Sequence, residues 1–203
     1  VWDFTDRGEG LRNTTDLRGR SGMKHGRVHW TGNFDEIQDF ENDMRGGFGG
    51  RGFLTNEDWQ ATQDTLGTAK TGLSRELDAL ATYVESLTST PESPWQTADT
   101  NEGEKIFRRL NCQSCHSGSA MSNSTLQNNH LFDVGTIKPS SGLRRGQKLT
   151  GLDTPTLKGI WSSAPYLHDG SAATLGEVFK QHKGAEPLSS KQLTQLIDYL
   201  KQL

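Results

Sequence analysis

The chain has 203 residues, enough for one large domain or two small ones. Its hydrophobic fraction of 31% is low, and no run of residues approaches the ~20 consecutive apolar positions of a membrane-spanning helix. Charge is uneven, because residues 1–95 hold 10 basic against 16 acidic side chains whereas residues 96–203 hold 12 against 9. A mildly basic second half is compatible with an acidic partner, and equally with ordinary solvated surface charge.

The first predicted helix covers residues 37–44. Ile37, Phe40 and Met44 recur at the helical period and form its expected buried face. The neighbouring acids are predicted to lie on the solvated face. They lack the alternating spacing of a calcium-binding loop, which makes a calcium site the weaker interpretation. These acids are Asp35, Glu36, Asp39, Glu41 and Asp43.

A longer helix is predicted from Leu77 to Leu87, where apolar residues again recur at the helical period. The following stretch, 87–95, is rich in Ser, Thr and Pro, a composition typical of connecting segments. We therefore predict a first lobe over residues 1–90, a linker over 91–96 and a second domain over 97–203.

After a predicted helix over residues 101–111, in which Asn101 and Glu104 can form a capping box, the chain reads Cys112-Gln-Ser-Cys115-His116. This spacing is typical of covalent attachment of a c-type haem. Each cysteine adds to one vinyl group of the haem, and the histidine that follows becomes the proximal iron ligand. We predict one covalently bound haem c.

Two alternatives use the same cysteines. A zinc site needs further Cys or His ligands in a second knuckle, and the chain has no other Cys. A thioredoxin-like redox pair needs no histidine at position 116 and is expected in a βαβ pattern, which the sequence lacks.

The stretch from Thr154 to Phe179 carries three aromatic side chains that we expect to form the wall of the haem pocket, Trp161, Tyr166 and Phe179, and His168, which we expect to pack or hydrogen-bond near the haem. The final predicted helix begins with a capping box of Ser189 and Gln192. Its apolar face is formed by Leu193, Leu196, Ile197 and Leu200.

The second half resembles the class I cytochrome c fold, in which the first and last helices cross at a Gly-x-x-x-aromatic pattern matched here by Gly103 and Phe107. The run 154–179 and the segment 131–136 are similar to the second-haem domain of the bacterial di-haem cytochrome c peroxidases. The resemblance implies a mainly α fold.

The same resemblance places the sixth iron ligand about fourteen positions after His168, at His182. It implies a bis-histidine haem, with a potential below that of a His/Met cytochrome. Met121, His130 and His168 stay open as alternative ligands.

The first half partly repeats the second. The segment Asn13–Gly19 matches Asp153–Gly159 at an offset of 140 residues, and an offset of 139 pairs His29 with His168 and Phe40 with Phe179. A matching haem motif would fall before Val1. We therefore expect a haem-less, partial cytochrome c-like N-terminal lobe beside the haem domain.

A single haem whose iron is bound by two protein ligands is typical of an electron-transfer protein. We therefore predict that the chain is not an enzyme. Its expected partner is an extracytoplasmic redox protein, for which an acidic docking surface would suit the basic second half. The alternative function is a peroxidase-like enzyme with a labile distal ligand and His168 as acid or base. Covalent haem attachment predicts a periplasmic or extracellular location, and we expect a mature protein or domain whose targeting segment has been removed.

Overall fold

The computed structural model describes residues 1–95, 100–127, 130–184 and 187–203. Two short antiparallel ribbons pair β1 (Trp2–Phe4) with β2 (Gly10–Arg12) and β3 (Leu143–Arg144) with β4 (Gln147–Lys148). The helices are α1 (Phe40–Asn42), α2 (Asn56–Ala61), α3 (Arg75–Ser86), α4 (Asn101–Arg109), α5 (Leu175–Val178) and α6 (Ser190–Leu200). Within these ranges, no helix is long and apolar enough to cross a lipid bilayer.

Helices α4 and α6 cross as the resemblance implies, and Gly103 lies at the crossing. A Cβ atom there would come within 2.2 Å of the Gln195 carbonyl oxygen and 2.6 Å of the Tyr199 Cβ atom. Below the crossing, Phe107 is buried with the apolar face of α6, and its ring lies 5.5 Å from that of Tyr199. The predicted capping box of Ser189 is present at the start of α6.

The start of α4 differs from the prediction. The helix begins at Asn101, so the capping position belongs to Thr100, and no side chain makes the capping bond there. The predicted boundary between linker and second domain, at residues 96 and 97, lies outside the described residues.

Substitution of Gly103 by Ala is expected to destabilise the protein by about 1–3 kcal/mol, because the added methyl group overpacks the crossing. Chemical denaturation of both proteins measures the difference. The matched control is Gly176→Ala in α5, where the nearest side-chain atoms lie 3.8 Å from the new methyl group. Equal stability of the two variants would contradict the close approach of α4 and α6.

The helical segment of the first half buries two of the acids that we predicted to be solvated. Asp39 and Glu41 are 1% and 0% exposed. Asp39 forms an ion pair of 2.6 Å with the fully buried Lys70. The Glu41 carboxylate forms an ion pair with Arg45 and accepts hydrogen bonds from the backbone N–H groups of residues 53 and 54. The prediction was wrong because partners from distant segments satisfy these carboxylates.

The two halves are joined by several direct hydrogen bonds. The backbone N–H of Asn13 donates to the His168 carbonyl oxygen at 2.6 Å, and that of Asp153 donates to the Trp30 carbonyl oxygen at 2.8 Å. The buried Arg12 guanidinium donates to the Ser141 carbonyl oxygen at 2.9 Å. The first half is therefore packed against the segment that carries the predicted pocket residues.

Both halves contain the same local structure at an offset of 138 residues. An isolated antiparallel bridge joins Val28 to Phe34 in the first half, and a second joins Tyr166 to Ala172 in the other half. A helical turn with a capping box follows each bridge, in the segments Glu36–Asp39 and Thr174–Glu177.

This offset corrects the alignment proposed from the sequence. His29 and Leu167 occupy the same left-handed position, with φ of 67° and 69°. The counterpart of His168 is therefore Trp30 and not His29. By the same offset Phe40 corresponds to Val178, one residue before the predicted Phe179.

Candidate haem site

A sharp change of chain direction brings the haem-attachment motif to the end of α4. Asn111 adopts the left-handed conformation with φ of 58°, and a 3-10 turn covers Cys112–Ser114. The backbone N–H of His116 bonds to the Cys112 carbonyl oxygen at 2.9 Å. Both cysteines are free thiols and only partly exposed, so they are available for thioether bonds.

Cys115 and His116 line a cavity of about 200 Å³ between the two halves. At roughly 10–15 Å³ for each water molecule, this cavity has room for on the order of fifteen waters. The second half contributes apolar wall residues, and the first half contributes a more polar wall. The apolar residues are Phe132, Val134, Leu152, Pro155, Leu157, Ile160, Pro165, Leu167 and Val178.

His116 has the protonation state that a metal ligand requires. Burial, with a smaller contribution from the nearby His182, lowers the pKa of His116 to about 4. The ring is therefore neutral at pH 7. Its Nδ1 atom lies 3.3 Å from the Met121 carbonyl oxygen, which can only accept a hydrogen bond. The proton is thus held at Nδ1, and Nε2 is free to bind a metal.

His182 lines the same cavity and is partly exposed. It follows α5 by one turn, and its Nδ1 atom donates to the Lys183 carbonyl oxygen at 2.7 Å, which leaves Nε2 as the free nitrogen. The structure therefore brings His116 and His182 to one cavity. The role of His182 as sixth ligand stays a prediction.

The alternative ligands lie in different surroundings. Met121 is absent from the cavity wall and packs against the hydrophobic core. His130 is exposed and also lies away from this wall. His168 is at the cavity, but its Nε2 atom is hydrogen-bonded to the Ser141 hydroxyl at 2.8 Å.

His168 is fully buried, with one ring nitrogen unpaired. The Ser141 hydroxyl accepts from the Lys138 backbone N–H at 2.9 Å and can donate its own hydrogen to His168 Nε2. In that arrangement the ring proton resides at Nδ1, which is buried and has no partner among the described residues. Burial lowers the pKa of His168, so the ring is neutral at pH 7.

Of the three aromatic residues predicted for the pocket wall, only Tyr166 lines the cavity, and Phe179 packs against the hydrophobic core instead. Burial raises the pKa of the Tyr166 phenol, which therefore stays protonated. Trp161 lies outside the wall, and its buried Nε1–H has no acceptor in the described part of the chain.

Several polar atoms around the cavity lack partners, although buried polar groups are nearly always hydrogen-bonded. Within the described ranges, the unpaired atoms of cavity-lining residues are Arg20 Nε, Arg27 Nε, Thr136 Oγ1 and His168 Nδ1. Apolar walls, adjacent thiols, two histidines and orphaned donors fit a covalently attached haem. A zinc site fits less well, because no group of three or more His, Cys, Asp or Glu residues is placed to hold a metal ion in these ranges.

The sequence did not reveal the wall that the first half supplies. This wall comprises Asn13–Asp16, Arg20, Arg27, His29 and Trp30. The internal repeat pointed to this wall. Its matched segments, which begin at Asn13 and Asp153, both line the cavity.

Comparison with known proteins supports this interpretation of the site. A family model described as RoxA-like, cytochrome c-like matches residues 151–186, which include His168 and His182. The chain is 29% identical over 172 residues to hydrazine synthase subunit gamma of Kuenenia stuttgartiensis, covering 63% of this chain and 48% of that protein. It is 32% identical over 128 residues to cytochrome c551 peroxidase of Nitrosomonas europaea, covering 54% and 37%.

A third relative is methylamine utilization protein MauG of Methylophilus methylotrophus, 29% identical over 129 residues, covering 54% of this chain and 36% of MauG. The chain is therefore similar to proteins of the di-haem cytochrome c peroxidase-like family. It spans only about a third to a half of the length of these three relatives.

Solved structures show the same fold. Hydrazine synthase of K. stuttgartiensis pressurised with xenon matches with a TM-score of 0.63 and 22% identity, covering 100% of this chain and 76% of that one. A MauG-like protein associated with microbial copper homeostasis matches with a TM-score of 0.63 and 17% identity, covering 95% and 73%. The predicted mainly α, cytochrome c-like fold is confirmed.

The prediction that the chain is not an enzyme was wrong. Two of the relatives are named as a synthase subunit and a peroxidase. The prediction relied on a single haem motif, but the chain spans less than half of either relative. The number of motifs within it therefore does not argue against catalysis.

Proposed function

We propose that the chain is the haem-binding part of a peroxidase-like oxidoreductase that reduces hydrogen peroxide with electrons from a redox protein. The observation that carries this proposal is the shared cavity. A partly exposed candidate ligand, His182, and a buried neutral histidine with a free nitrogen, His168, lie on its wall. Enzyme names among the relatives support the same class of function.

The motif holds and orients the cofactor. Cys112 and Cys115 would attach it by thioether bonds, and the Met121 carbonyl oxygen orients the ring of His116, which would bind the iron. When bound, a c-type haem supplies one-electron chemistry and, where a coordination position opens, a site for a small oxidant. The apolar walls of the second half would cover the apolar faces of the bound haem.

His182 is placed where a ligand could dissociate from the haem iron at low cost. It lies beyond the end of α5, is partly exposed, and has local backbone contacts, to Val178 and Lys183. Side chains outside the buried core move at a small cost in free energy. We therefore assign His182 as a displaceable distal ligand.

His168 is suited to proton transfer. Reduction of one hydrogen peroxide to two waters consumes two protons and two electrons. The Nδ1–H of His168 can donate towards the cavity, and its bond to Ser141 keeps the ring oriented. The electrons come from a partner, for which we propose an extracytoplasmic redox protein with an acidic surface. Covalent haem attachment supports a periplasmic or cell-surface location.

The test is peroxide-dependent oxidation of a reduced donor by the haem-loaded protein. We expect two electrons consumed per peroxide, and His168→Gln should lower the turnover rate by about 10²-fold because a positioned acid is lost. The ferric spectrum of this variant should stay unchanged. His130→Ala, at an exposed site, is the control and should retain full turnover. Full activity of His168→Gln would contradict the proposed role, and no peroxide consumption by the unmodified protein would contradict the function.

A further inference from the structure

The first half contributes two arginines to the wall of the cavity. Arg20 is 6% exposed, and its Nη2 atom donates to the carbonyl oxygens of Gly26 and Arg27 at 3.2 and 2.9 Å. Arg27 donates through Nη2 to the Leu126 carbonyl oxygen at 3.2 Å. The Nε atoms of both arginines are buried without partners, as far as the described residues show.

The carboxylates near this pair are hydrogen-bonded to other groups. Among the described residues, neither arginine forms an ion pair within 4.0 Å. Asp16 lines the cavity but is bonded to Arg18 at 2.6 Å. Asp153 interacts electrostatically with both arginines, but its carboxylate is bonded to the Ser124 hydroxyl at 2.7 Å and forms no ion pair within 4.0 Å with either arginine.

Additional positive charge surrounds the pair. Lys158 lines the same cavity. His25 lies close enough that burial, Arg20 and Lys158 together lower its pKa. A buried guanidinium without a counter-ion is costly in free energy, so a cluster of this kind favours a bound anion.

We propose that Arg20 and Arg27 form a carboxylate-binding site for the haem propionates. This proposal rests on the haem lying in the cavity, as argued above. Vinyl groups and propionates occupy opposite edges of the porphyrin, so attachment at Cys112 and Cys115 directs the propionates away from the motif. The guanidinium group matches a carboxylate with parallel N–H donors.

The two halves of the chain would then have different roles towards the haem. The second half attaches the haem through its motif, and the first half closes the cavity and neutralises the propionate charge. The first half would then set the reduction potential of a haem that is bonded to the other half.

The experiment is spectroelectrochemical titration of the haem-loaded Arg20→Met and Arg27→Met variants. Loss of a positive charge beside the propionates favours the ferric state. We expect a tenfold shift of the reduction equilibrium towards the ferric form, a fall in midpoint potential of about 59 mV for one electron. Arg20→Lys keeps the charge and should retain most of the potential. Arg51→Met removes an exposed arginine away from the cavity and should leave the potential unchanged.

Covalent haem content and peroxide turnover are measured on the same samples, which separates this proposal from the function. Unchanged potentials in both Met variants, with haem content and turnover intact, would overturn the propionate site and leave the function standing. If Arg20→Met does not fold, Arg27→Met and Arg20→Lys decide the result. Acetate and phosphate added to the unmodified protein should not shift its potential. A saturable shift would show that the arginines bind a free anion, and would also overturn the proposal.

Discussion

Replacement of Lys70 by Met is expected to destabilise the protein by about 3–5 kcal/mol. The ammonium group is fully buried and lies 2.6 Å from the Asp39 carboxylate. Its removal leaves a buried carboxylate whose remaining bonds are to the backbone N–H groups of Asp35 and Glu36. Urea denaturation at pH 7.5 measures the loss.

The loss should depend on pH. Burial raises the pKa of Asp39 to about 6, above its ordinary value of 3.8, so the charged carboxylate is the disfavoured form in the folded protein. Without Lys70 this pKa rises further, since the attraction that favours the charge is lost. The variant should therefore be most impaired above pH 6 and partly relieved as the pH falls towards 5.

Two further variants test whether the buried ion pair causes this loss of stability. Lys70→Met combined with Asp39→Leu removes both charges and should recover part of the lost stability. Lys105→Met breaks an exposed ion pair with Glu102 and should cost no more than about 1 kcal/mol. A Lys70→Met protein as stable as Lys105→Met would show that the buried pair is not formed in solution.

The double variant Cys112→Ala/Cys115→Ala is expected to be the least stable form of the protein. Without the thiols the haem is not attached, and the cavity of about 200 Å³ is left unfilled. At about 24 cal/mol per Å³ of cavity, the loss relative to the haem-loaded protein is about 5 kcal/mol.

Unfolding monitored by circular dichroism measures this loss, with Ser114→Ala as the control inside the motif. Ser114 is exposed, and its substitution leaves both thiols in place. Equal stability of the double variant and the haem-loaded protein would mean that the cavity does not hold the cofactor.

Local patterns predicted the attachment motif and the capping box of α6, and the resemblance to class I cytochromes c implied the close approach at Gly103. Each depends on residues within a few positions of one another or on a steric demand that only glycine meets. The burial of Asp39 could not be predicted in this way, because its partner Lys70 is 31 positions away.

The repeat shows a second limit of the sequence. Matching His29 with His168 aligned like residues, but the backbone pairs His29 with Leu167, because a left-handed position sets the geometry of the turn. The repeat also predicted that the first half forms a separate lobe beside the haem domain. The structure shows Arg20 and Trp30 at the same cavity as His116.

The most direct test of the account is the ferric optical and electron paramagnetic resonance spectrum of the haem-loaded protein and its His182→Ala variant, with and without cyanide. We expect the unmodified protein to be six-coordinate and low-spin at rest, and to bind cyanide as His182 is displaced. The variant should be high-spin at rest and should bind cyanide faster. An unchanged six-coordinate spectrum in His182→Ala, or an unmodified protein that ignores both cyanide and peroxide, would contradict a displaceable His182 and the peroxidase-like function built on it.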